Sequence, residues 1–254
     1  MSPPATSQDL DILAIAAHRD DVEQTCGGAL LKAAQRGQRT GILDLTQGEL
    51  GTRGSAEDRA READDAAKIL GVVRRRALDI PDGRVENTWE NRLKVATVIR
   101  ETRPHVVILP YWKGRHPDHY TCSVLGYEAC FLAGLAKIAL SSQPSATQEP
   151  SALTPHRPFK IVYATLYYDV RPTFVVDITN EFDRKFASIM AYKTQFSDQE
   201  AGKDLFPAHD EIRTRVEAMA RYYGMLGGVT YAEPFLQKEV GLVDDLLVIP
   251  VKSI

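Results

Sequence analysis

Apolar and polar positions along the first half of the chain switch repeatedly between the patterns of strands and helices. Short apolar runs without polar alternation are typical of strands that a parallel sheet buries on both faces. Stretches with apolar residues three and four apart, several of them ending near a glycine, are typical of helices. Strands are predicted at 10–17, 40–45, 72–78 and 105–111, and helices at 28–36, 56–70 and 89–103. This alternation predicts βαβ units and a mostly parallel sheet.

The second half of the chain has a less regular pattern. A helix is predicted from Pro117 to about Leu140, and the Ser- and Pro-rich segment 141–154 is predicted to be a mobile surface loop. Further strands are predicted at 160–167 and 173–177, and further helices at 180–196 and 211–224. Because nothing marks a firm domain boundary, we predict a single domain over residues 1–254.

Composition narrows the class of protein. The 254 residues are 44% hydrophobic, and 31 basic against 34 acidic residues give a net charge of −3. Nucleic-acid-binding proteins usually carry a basic excess, so no nucleic-acid partner is expected. No apolar run reaches the roughly 20 residues that span a bilayer, and the N-terminus does not resemble a secretory signal. The three cysteines are expected to be reduced thiols in a cytoplasmic protein without a membrane partner.

Two clusters of His and Asp follow predicted strands. Ala17–Asp21 follows the first strand, and His116–His119 follows the fourth. Open α/β sheets place their ligand sites at the carboxyl ends of the strands, so the clusters are expected to meet at one edge. Either cluster alone would also be typical of a solvated turn or a helix cap. The two together favour a metal site with a carboxylate left over.

The chemistry of zinc suggests a role for each residue. His18 and Asp21 can reach one ion if their loop turns into a helix, and His119 would be the third ligand from the neighbouring strand. Zinc suits these ligands, and ferrous iron remains open. Asp20 would point elsewhere and act as general base on the attacking water.

His116 and Asp118 are the remaining members of the second cluster. Asp118 is expected to hold the ring of His116 and keep it cationic. A cationic His116 could stabilise an oxyanion or protonate a leaving amine.

A glycine- and arginine-rich segment follows the second predicted strand. It contains Arg53 and Arg59, which could bind a carboxylate or hydroxyl groups of a substrate. A flexible loop ending at a helix capped by Ser55 is the alternative interpretation. Arg19 and Arg115, each next to a His/Asp cluster, are further candidates for substrate contacts, and Arg157 is a fifth basic candidate.

These motifs resemble those of the PIG-L/LmbE-like family of zinc-dependent N-acetylglucosaminyl deacetylases. The resemblance rests on Ala17–Val22, Gly48–Ala63 and His116–His119, and it extends to residues 180–196 and to the tail at 228–247. These last two segments are similar to the branch that deacetylates N-acetylglucosaminyl-malate in bacillithiol biosynthesis, and the tail is the more specific of the two. The chain departs from the family in two places. Arg19 stands where most members have a proline, and the segment 206–215 lacks the tyrosine that helps at the oxyanion in some relatives.

The resemblance has several implications. It implies a Rossmann-like three-layer α/β sandwich and a homo-oligomer. It implies one zinc ion on His18, Asp21 and His119, with Asp20 as base, His116 and Asp118 assisting, and Arg59 near the substrate. The expected partner is a small GlcNAc conjugate. Two alternatives stay open: a deacetylase of another conjugate, such as a mycothiol precursor or an antibiotic intermediate, and a non-catalytic sugar- or nucleotide-binding module.

Overall fold

The computed structural model describes residues 9–142, 151–166, 168–197 and 207–251. Within these ranges, seven strands form one sheet in the order β3-β2-β1-β4-β5-β7-β6. The first five strands in that order are parallel, and β7 runs antiparallel to both of its neighbours. The strands are β1 (Ile12–Ala16), β2 (Thr40–Asp44), β3 (Arg74–Ala77), β4 (Val106–Pro110), β5 (Lys160–Ala164), β6 (Phe174–Asp177) and β7 (Ala232–Leu236).

Helices cover both faces of the sheet. α4 and α5 pack together on one face, and α1, α2, α3 and α6 pack together on the other. The helices are α1 (Asp21–Thr25), α2 (Gly27–Gln35), α3 (Ala56–Leu70), α4 (Trp89–Thr102), α5 (Pro117–Ala133), α6 (Phe182–Met190), α7 (Lys193–Phe196) and α8 (His209–Gly227), with a 3-10 turn at Leu246–Val248. No helix in the described ranges combines the length and the apolar character that a membrane span requires.

The sheet has one apolar core on each face, and the alternating side chains of β1 contribute to both. Leu13 and Ile15 belong to the apolar cluster under α4 and α5, whereas Ala14 and Ala16 belong to the cluster under α1 and α2. Because successive side chains of a strand point to opposite faces, a continuous apolar run fills both layers. The predicted three-layer α/β sandwich with a mostly parallel sheet is confirmed.

The strand order fixes where a ligand site can form. The chain adds β2 and β3 on one side of β1, then crosses over to add β4 and β5 on the other. The order therefore reverses between β1 and β4, and loops that leave this point diverge and open a crevice. The two His/Asp clusters follow β1 and β4.

Several predicted boundaries are wrong. The helix that starts at Pro117 ends at Ala133 rather than near Leu140, and the helix predicted at 180–196 is broken into α6 and α7. Of the loop predicted at 141–154, residues 143–150 lie outside the described ranges, while Ser141 and Ala152 form an isolated antiparallel bridge.

Strand β7 was not predicted, because Pro234 interrupts its apolar pattern. Proline has no N–H to donate to a neighbouring strand, so it is disfavoured in a strand that is paired on both sides. β7 pairs with β6 from Ala232 to Phe235, but it pairs with β5 only through Phe235 and Leu236. Pro234 therefore lies where β7 has a neighbour on one side only, and this explains why the proline is tolerated.

Candidate active site

Three side chains form a triangle between the ends of β1 and β4. Nδ1 of His18 lies 3.2 Å from Nε2 of His119. The carboxylate of Asp21 completes the triangle, with Oδ2 3.5 Å from Nδ1 of His18 and Oδ1 3.2 Å from Nε2 of His119. The backbone N–H of His18 also donates to Oδ2 of Asp21 at 3.0 Å. The two clusters thus meet as the sequence predicts.

The spacing of these donor groups suits a tetrahedral metal ion. Zinc–nitrogen bonds of about 2.0–2.1 Å separate neighbouring ligand atoms by about 3.3 Å. The two ring nitrogens are 3.2 Å apart, and each lies 3.2–3.5 Å from one oxygen of the Asp21 carboxylate. Two overlapping groups could also hold an ion: His18 with His116 and His119, and His18 with Asp82 and Asp118. His18 is common to all three sets.

Two carboxylates hold the other ring nitrogen of His18. Nε2 of His18 lies 3.1 Å from Oδ1 of Asp82 and 3.3 Å from Oδ2 of Asp118. Oδ2 and Oδ1 of Asp118 also accept from the backbone N–H groups of Gly83 and Val85, at 2.8 and 3.2 Å. Carboxylates in this position fix the orientation of a metal-binding imidazole and raise its basicity.

The prediction that Asp118 holds the ring of His116 is wrong. Its carboxylate contacts His18, and only its backbone N–H reaches His116, donating to Nδ1 at 3.2 Å. The reason is the helix start: His116 is the N-cap of α5, so its side chain turns back to accept from the first turn. With Nδ1 as an acceptor, the proton of the neutral ring is on Nε2.

The charges of the site oppose one another. Burial lowers the pKa of His18, but Asp118, Asp21 and Asp82 outweigh it and raise that pKa to about 12. The hydrogen bond from His18 holds the pKa of Asp82 at about 2 despite partial burial. Burial, together with the nearby rings of His18 and His119, lowers the pKa of His116. Without a metal, His18 is therefore cationic and His116 neutral.

Asp20 lies beside the triangle in a strained backbone conformation. Its φ of 98° is in the left-handed region of backbone conformation, which residues other than glycine rarely adopt. Nη2 of Arg59 donates to its Oδ1 at 3.3 Å, and Nε2 of Gln24 donates to its Oδ2 at 3.4 Å. Burial raises the pKa of Asp20 to about 7, with Arg59 opposing the shift and Asp21 adding to it. A carboxyl group with that pKa can both accept and return a proton near neutral pH.

Arg59 holds the loops around Asp20. Its guanidinium is buried, and it donates to the carbonyl oxygens of Arg19 at 2.7 Å and Gly48 at 3.4 Å. Gly48 has a φ of 71°, and a Cβ there would lie 2.4 Å from Nη1 of Arg59. Glycine therefore permits the close approach of this backbone to the guanidinium. Arg59 also lines the cleft above the triangle, as does the exposed Arg115.

Arg19 and Arg53 do not line this cleft, contrary to expectation. Both are buried. Arg19 donates to the carbonyl oxygens of Gln47 and Ala56, and Arg53 donates to those of Gln195 and Ser197. Their guanidinium groups connect the glycine-rich segment to the rest of the fold. Arg157 lies elsewhere, over the ring of Phe131 on α5.

Sequence reasoning missed Asp82 and Gln24. Asp82 lies in a Pro-Asp-Gly turn after β3. These three residue types are common in turns for conformational reasons alone, so the pattern did not indicate a functional residue. Its position after a third parallel strand, on the same edge of the sheet, was the available signal. Gln24 is one turn beyond Asp20 on α1, but that short helix was not predicted.

Comparison with known proteins identifies the family. A profile described as "PIG-L: GlcNAc-PI de-N-acetylase" matches residues 13–130. Diacetylchitobiose deacetylase of Thermococcus kodakarensis is 31% identical over 233 residues, covering 87% of this chain and 80% of that protein. The 4-oxalmesaconate hydratase of Pseudomonas putida is 26% identical over 196 residues, covering 72% and 73%.

A solved structure matches nearly the whole chain. The conserved protein TT1542 of Thermus thermophilus superposes with a TM-score of 0.78 at 38% identity, covering 92% of this chain and 98% of that one. The fold and the sequence thus agree across both clusters and beyond them. The chain belongs to the PIG-L family, whose N-deacetylases hydrolyse amides.

Proposed function

We propose that this protein hydrolyses the acetamide of N-acetylglucosaminyl-malate, giving glucosaminyl-malate and acetate, in bacillithiol biosynthesis. The observation that carries the amide hydrolysis is the triangle of His18, Asp21 and His119 beside the strained Asp20. The similarity to a diacetylchitobiose deacetylase supports an N-acetylglucosamine unit in the substrate. A cytoplasmic location is part of the proposal.

His18, Asp21 and His119 would hold the metal, with zinc as the favoured ion. When bound, zinc acts as a Lewis acid that polarises the amide carbonyl and acidifies water. The nitrogen, nitrogen and oxygen donors match zinc's preferences, and Asp82 and Asp118 supply the outer carboxylates.

The chain's own residues move the proton. Asp20 accepts a proton from the attacking water as the new C–O bond forms, and it returns a proton to the nitrogen as the C–N bond breaks. Arg59 and Gln24 hold one carboxylate oxygen each, so the base stays oriented through both steps. Nε2 of the neutral His116 donates a hydrogen bond to the developing oxyanion.

The cleft favours a polar substrate. Its volume is about 430 Å³, and its lining includes Asp20, Gln24, Asp82 and Arg115. That volume lies within the range of about 300–1,000 Å³ typical of small-molecule sites. Of the five arginines considered from the sequence, Arg59 and Arg115 line it. Nη1 and Nη2 of Arg59 donate to Asp20 and to carbonyl oxygens, whereas Arg115 is an exposed cation that lines the cleft. Arg115 is therefore the side chain that we assign to a carboxylate of malate.

A panel of substrates tests the aglycone. We expect amine release by the zinc-loaded protein to be fastest on N-acetylglucosaminyl-malate. Release should be slower on N-acetylglucosaminyl-inositol, which represents the mycothiol precursor, on diacetylchitobiose and on free N-acetylglucosamine. A charge-assisted hydrogen bond contributes about 1.5–3 kcal/mol, so Arg115→Ala should lower kcat/KM on the malate conjugate roughly 10- to 150-fold. Arg84→Ala removes an exposed arginine that does not line the cleft and should change little.

The outcomes separate the parts of the proposal. Equal rates on the malate conjugate and free N-acetylglucosamine would overturn the malate assignment and leave amide hydrolysis standing. Deacetylation of diacetylchitobiose alone would favour the activity of the Thermococcus relative. Hydration of 4-oxalmesaconate without any amine release would refute amide hydrolysis altogether.

A further inference from the structure

Gln195 lines the cleft but takes no part in the proton transfers. It lies on the short helix α7, and it faces the cleft above the triangle although it is only 6% exposed. Nη1 of Arg53 donates to its backbone oxygen at 3.1 Å, so α7 is held against the glycine-rich segment that follows β2. Gln195 therefore brings a polar side chain from the second half of the chain to a cleft built mostly from the first half.

The amide nitrogen of Gln195 donates both of its protons within the protein. Nε2 donates to the carbonyl oxygen of Arg53 at 2.7 Å and to Oγ1 of Thr194 at 3.1 Å. The Thr194 hydroxyl donates its own proton to Oε2 of Glu62 at 2.7 Å, so it can only accept from Gln195. A carbonyl oxygen also accepts only. These two acceptors therefore fix which end of the amide is the nitrogen.

The amide oxygen of Gln195 remains available to a ligand. In the described part of the chain, no donor lies within hydrogen-bond distance of Oε1. Oε1 is not among the fully buried side-chain atoms of the described residues that lack a partner, so it is accessible. Because Gln195 lines the cleft, this oxygen opens onto the cleft. A ligand that binds it must supply a donor, such as a hydroxyl group.

The residues around this amide are held in place. The carboxylate of Glu62 on α3 binds Thr194 twice, through its hydroxyl and through its backbone N–H, each at 2.7 Å. Gly54 has a φ of 71°, and a Cβ there would lie 2.7 Å from Oγ1 of Thr194, so glycine permits the close approach of the two segments. A polar group that is already oriented loses little conformational freedom when a ligand binds. The Gln195 oxygen is therefore suited to recognise one hydroxyl group.

Strand order places Gln195 and Arg115 on opposite sides of the cleft. Arg115 follows β4, whereas Gln195 is bound to Arg53, which follows β2, and β1 lies between these two strands. In N-acetylglucosamine, the carbon that bears the acetamide lies between C1, which carries the aglycone, and C3, which carries a hydroxyl group. With the acetamide at the triangle and the aglycone toward Arg115, the C3 hydroxyl is expected on the side of Gln195.

We propose that Gln195 is a substrate-binding residue whose Oε1 accepts a hydrogen bond from the C3 hydroxyl of the N-acetylglucosamine unit. The inference rests on the proposed amide hydrolysis, and it adds a determinant of sugar specificity to the contact between Arg115 and the aglycone. A sugar without this hydroxyl leaves the amide oxygen covered by the ligand and without a donor. Sites built to bind a hydroxyl group reject analogues that lack it for this reason.

Amine release from N-acetylglucosamine and from its 3-deoxy and 4-deoxy analogues tests the proposal. With the zinc-loaded wild type, kcat/KM on the 3-deoxy analogue should be about tenfold lower than on the parent sugar. This factor is equivalent to about 1.4 kcal/mol, which lies within the cost of leaving a covered acceptor unpaired. The 4-deoxy analogue is the reference, because its rate relative to the parent sugar should not depend on residue 195.

Two variants separate the oxygen of Gln195 from its nitrogen. Gln195→Met removes both, whereas Gln195→Glu loses the same two N–H donors and keeps an acceptor oxygen. We expect equal kcat/KM on the parent sugar and the 3-deoxy analogue in Gln195→Met, and a persisting preference for the parent sugar in Gln195→Glu. The 4-deoxy ratio should be the same in all three proteins. Because each ratio compares two substrates on one protein, a general loss of activity cancels.

Three results would overturn the proposal. The first is equal kcat/KM on the parent sugar and the 3-deoxy analogue in the wild type, which requires no variant to fold. The second is a preference against the 3-deoxy analogue that persists unchanged in Gln195→Met. The third is a change of the 4-deoxy ratio, rather than the 3-deoxy ratio, in that variant. Absence of amine release from every N-acetylglucosamine compound, the malate conjugate included, would instead refute the proposed function itself.

Discussion

Replacing Asp118 by asparagine tests how the second cluster acts on the first. Oδ2 of Asp118 accepts from His18 Nε2 and Gly83 N–H, and Oδ1 accepts from Val85 N–H. An asparagine keeps one acceptor oxygen. In its better orientation the amide nitrogen faces Val85, so one N–H loses its acceptor and His18 keeps only a neutral oxygen.

The expected loss follows from these contacts. A buried N–H without an acceptor costs about 1–3 kcal/mol, and a neutral acceptor is about 1 kcal/mol weaker than a charged one. Only the weaker acceptor acts directly on the metal ligand His18. Because Oδ1 of Asp82 remains 3.1 Å from the same nitrogen, the ring stays oriented. About 1 kcal/mol corresponds to about fivefold. We therefore predict about 5- to 10-fold weaker zinc binding, at or just below the lower end of the 10- to 100-fold range for such outer carboxylates.

Competition with a chromophoric chelator measures the zinc affinity. Asp82→Asn should have a similar effect, and the double variant should lose more than the product of the two single effects, because each carboxylate compensates for loss of the other. Asp79→Asn, the same change on an exposed carboxylate of the same segment, is the control. Unchanged zinc affinity in Asp118→Asn, with only the turnover altered, would refute the assignment of Asp118 to His18.

Three further predictions follow from the site and its supports. Asp20→Asn should keep the metal and lower kcat about 10²- to 10⁴-fold, because an amide cannot accept the proton; near-normal kcat would exclude Asp20 as the base. Zinc affinity should rise with pH, since the raised pKa values of His18 and His119 mean that metal must displace protons; a titration series showing a pH-independent affinity would contradict this. Lys185→Met should lower the free energy of unfolding by about 3 kcal/mol in urea denaturation, because the buried carboxylate of Glu233 loses its cation. Glu233 still accepts from the N–H groups at the start of α2, which limits the loss. A change under about 1 kcal/mol would show that the ion pair is dispensable.

The parallel part of the fold was predictable because its signal is local. β1 and β4 are short apolar runs, and α3 has the same bounds in the prediction and in the structure. The capping box of Ser55 and Asp58 marks its start, and Gly71 in the left-handed conformation marks its end. In contrast, β7 depends on pairing with strands far away in the sequence, so its own residues carry little signal.

The site was predictable in its members and only partly in its contacts. The residues of both clusters meet because strand order brings β1 and β4 together, a rule that holds for open α/β sheets. Which group a side chain contacts depends on the positions of helix starts and turns, and the hydrophobic pattern did not predict these positions. Asp118 therefore orients His18 rather than His116, and the buried guanidinium of Arg19 donates to backbone carbonyl oxygens.

The metal content of the purified protein tests the central claim most directly. Elemental analysis after dialysis should find one zinc ion per chain in the wild type, and none in His119→Ala or Asp21→Asn, because each variant removes one corner of the triangle. Asp20→Asn, which alters the neighbouring carboxylate, should retain the ion. Full zinc retention in His119→Ala would contradict the account, since the ion would then be held by other residues.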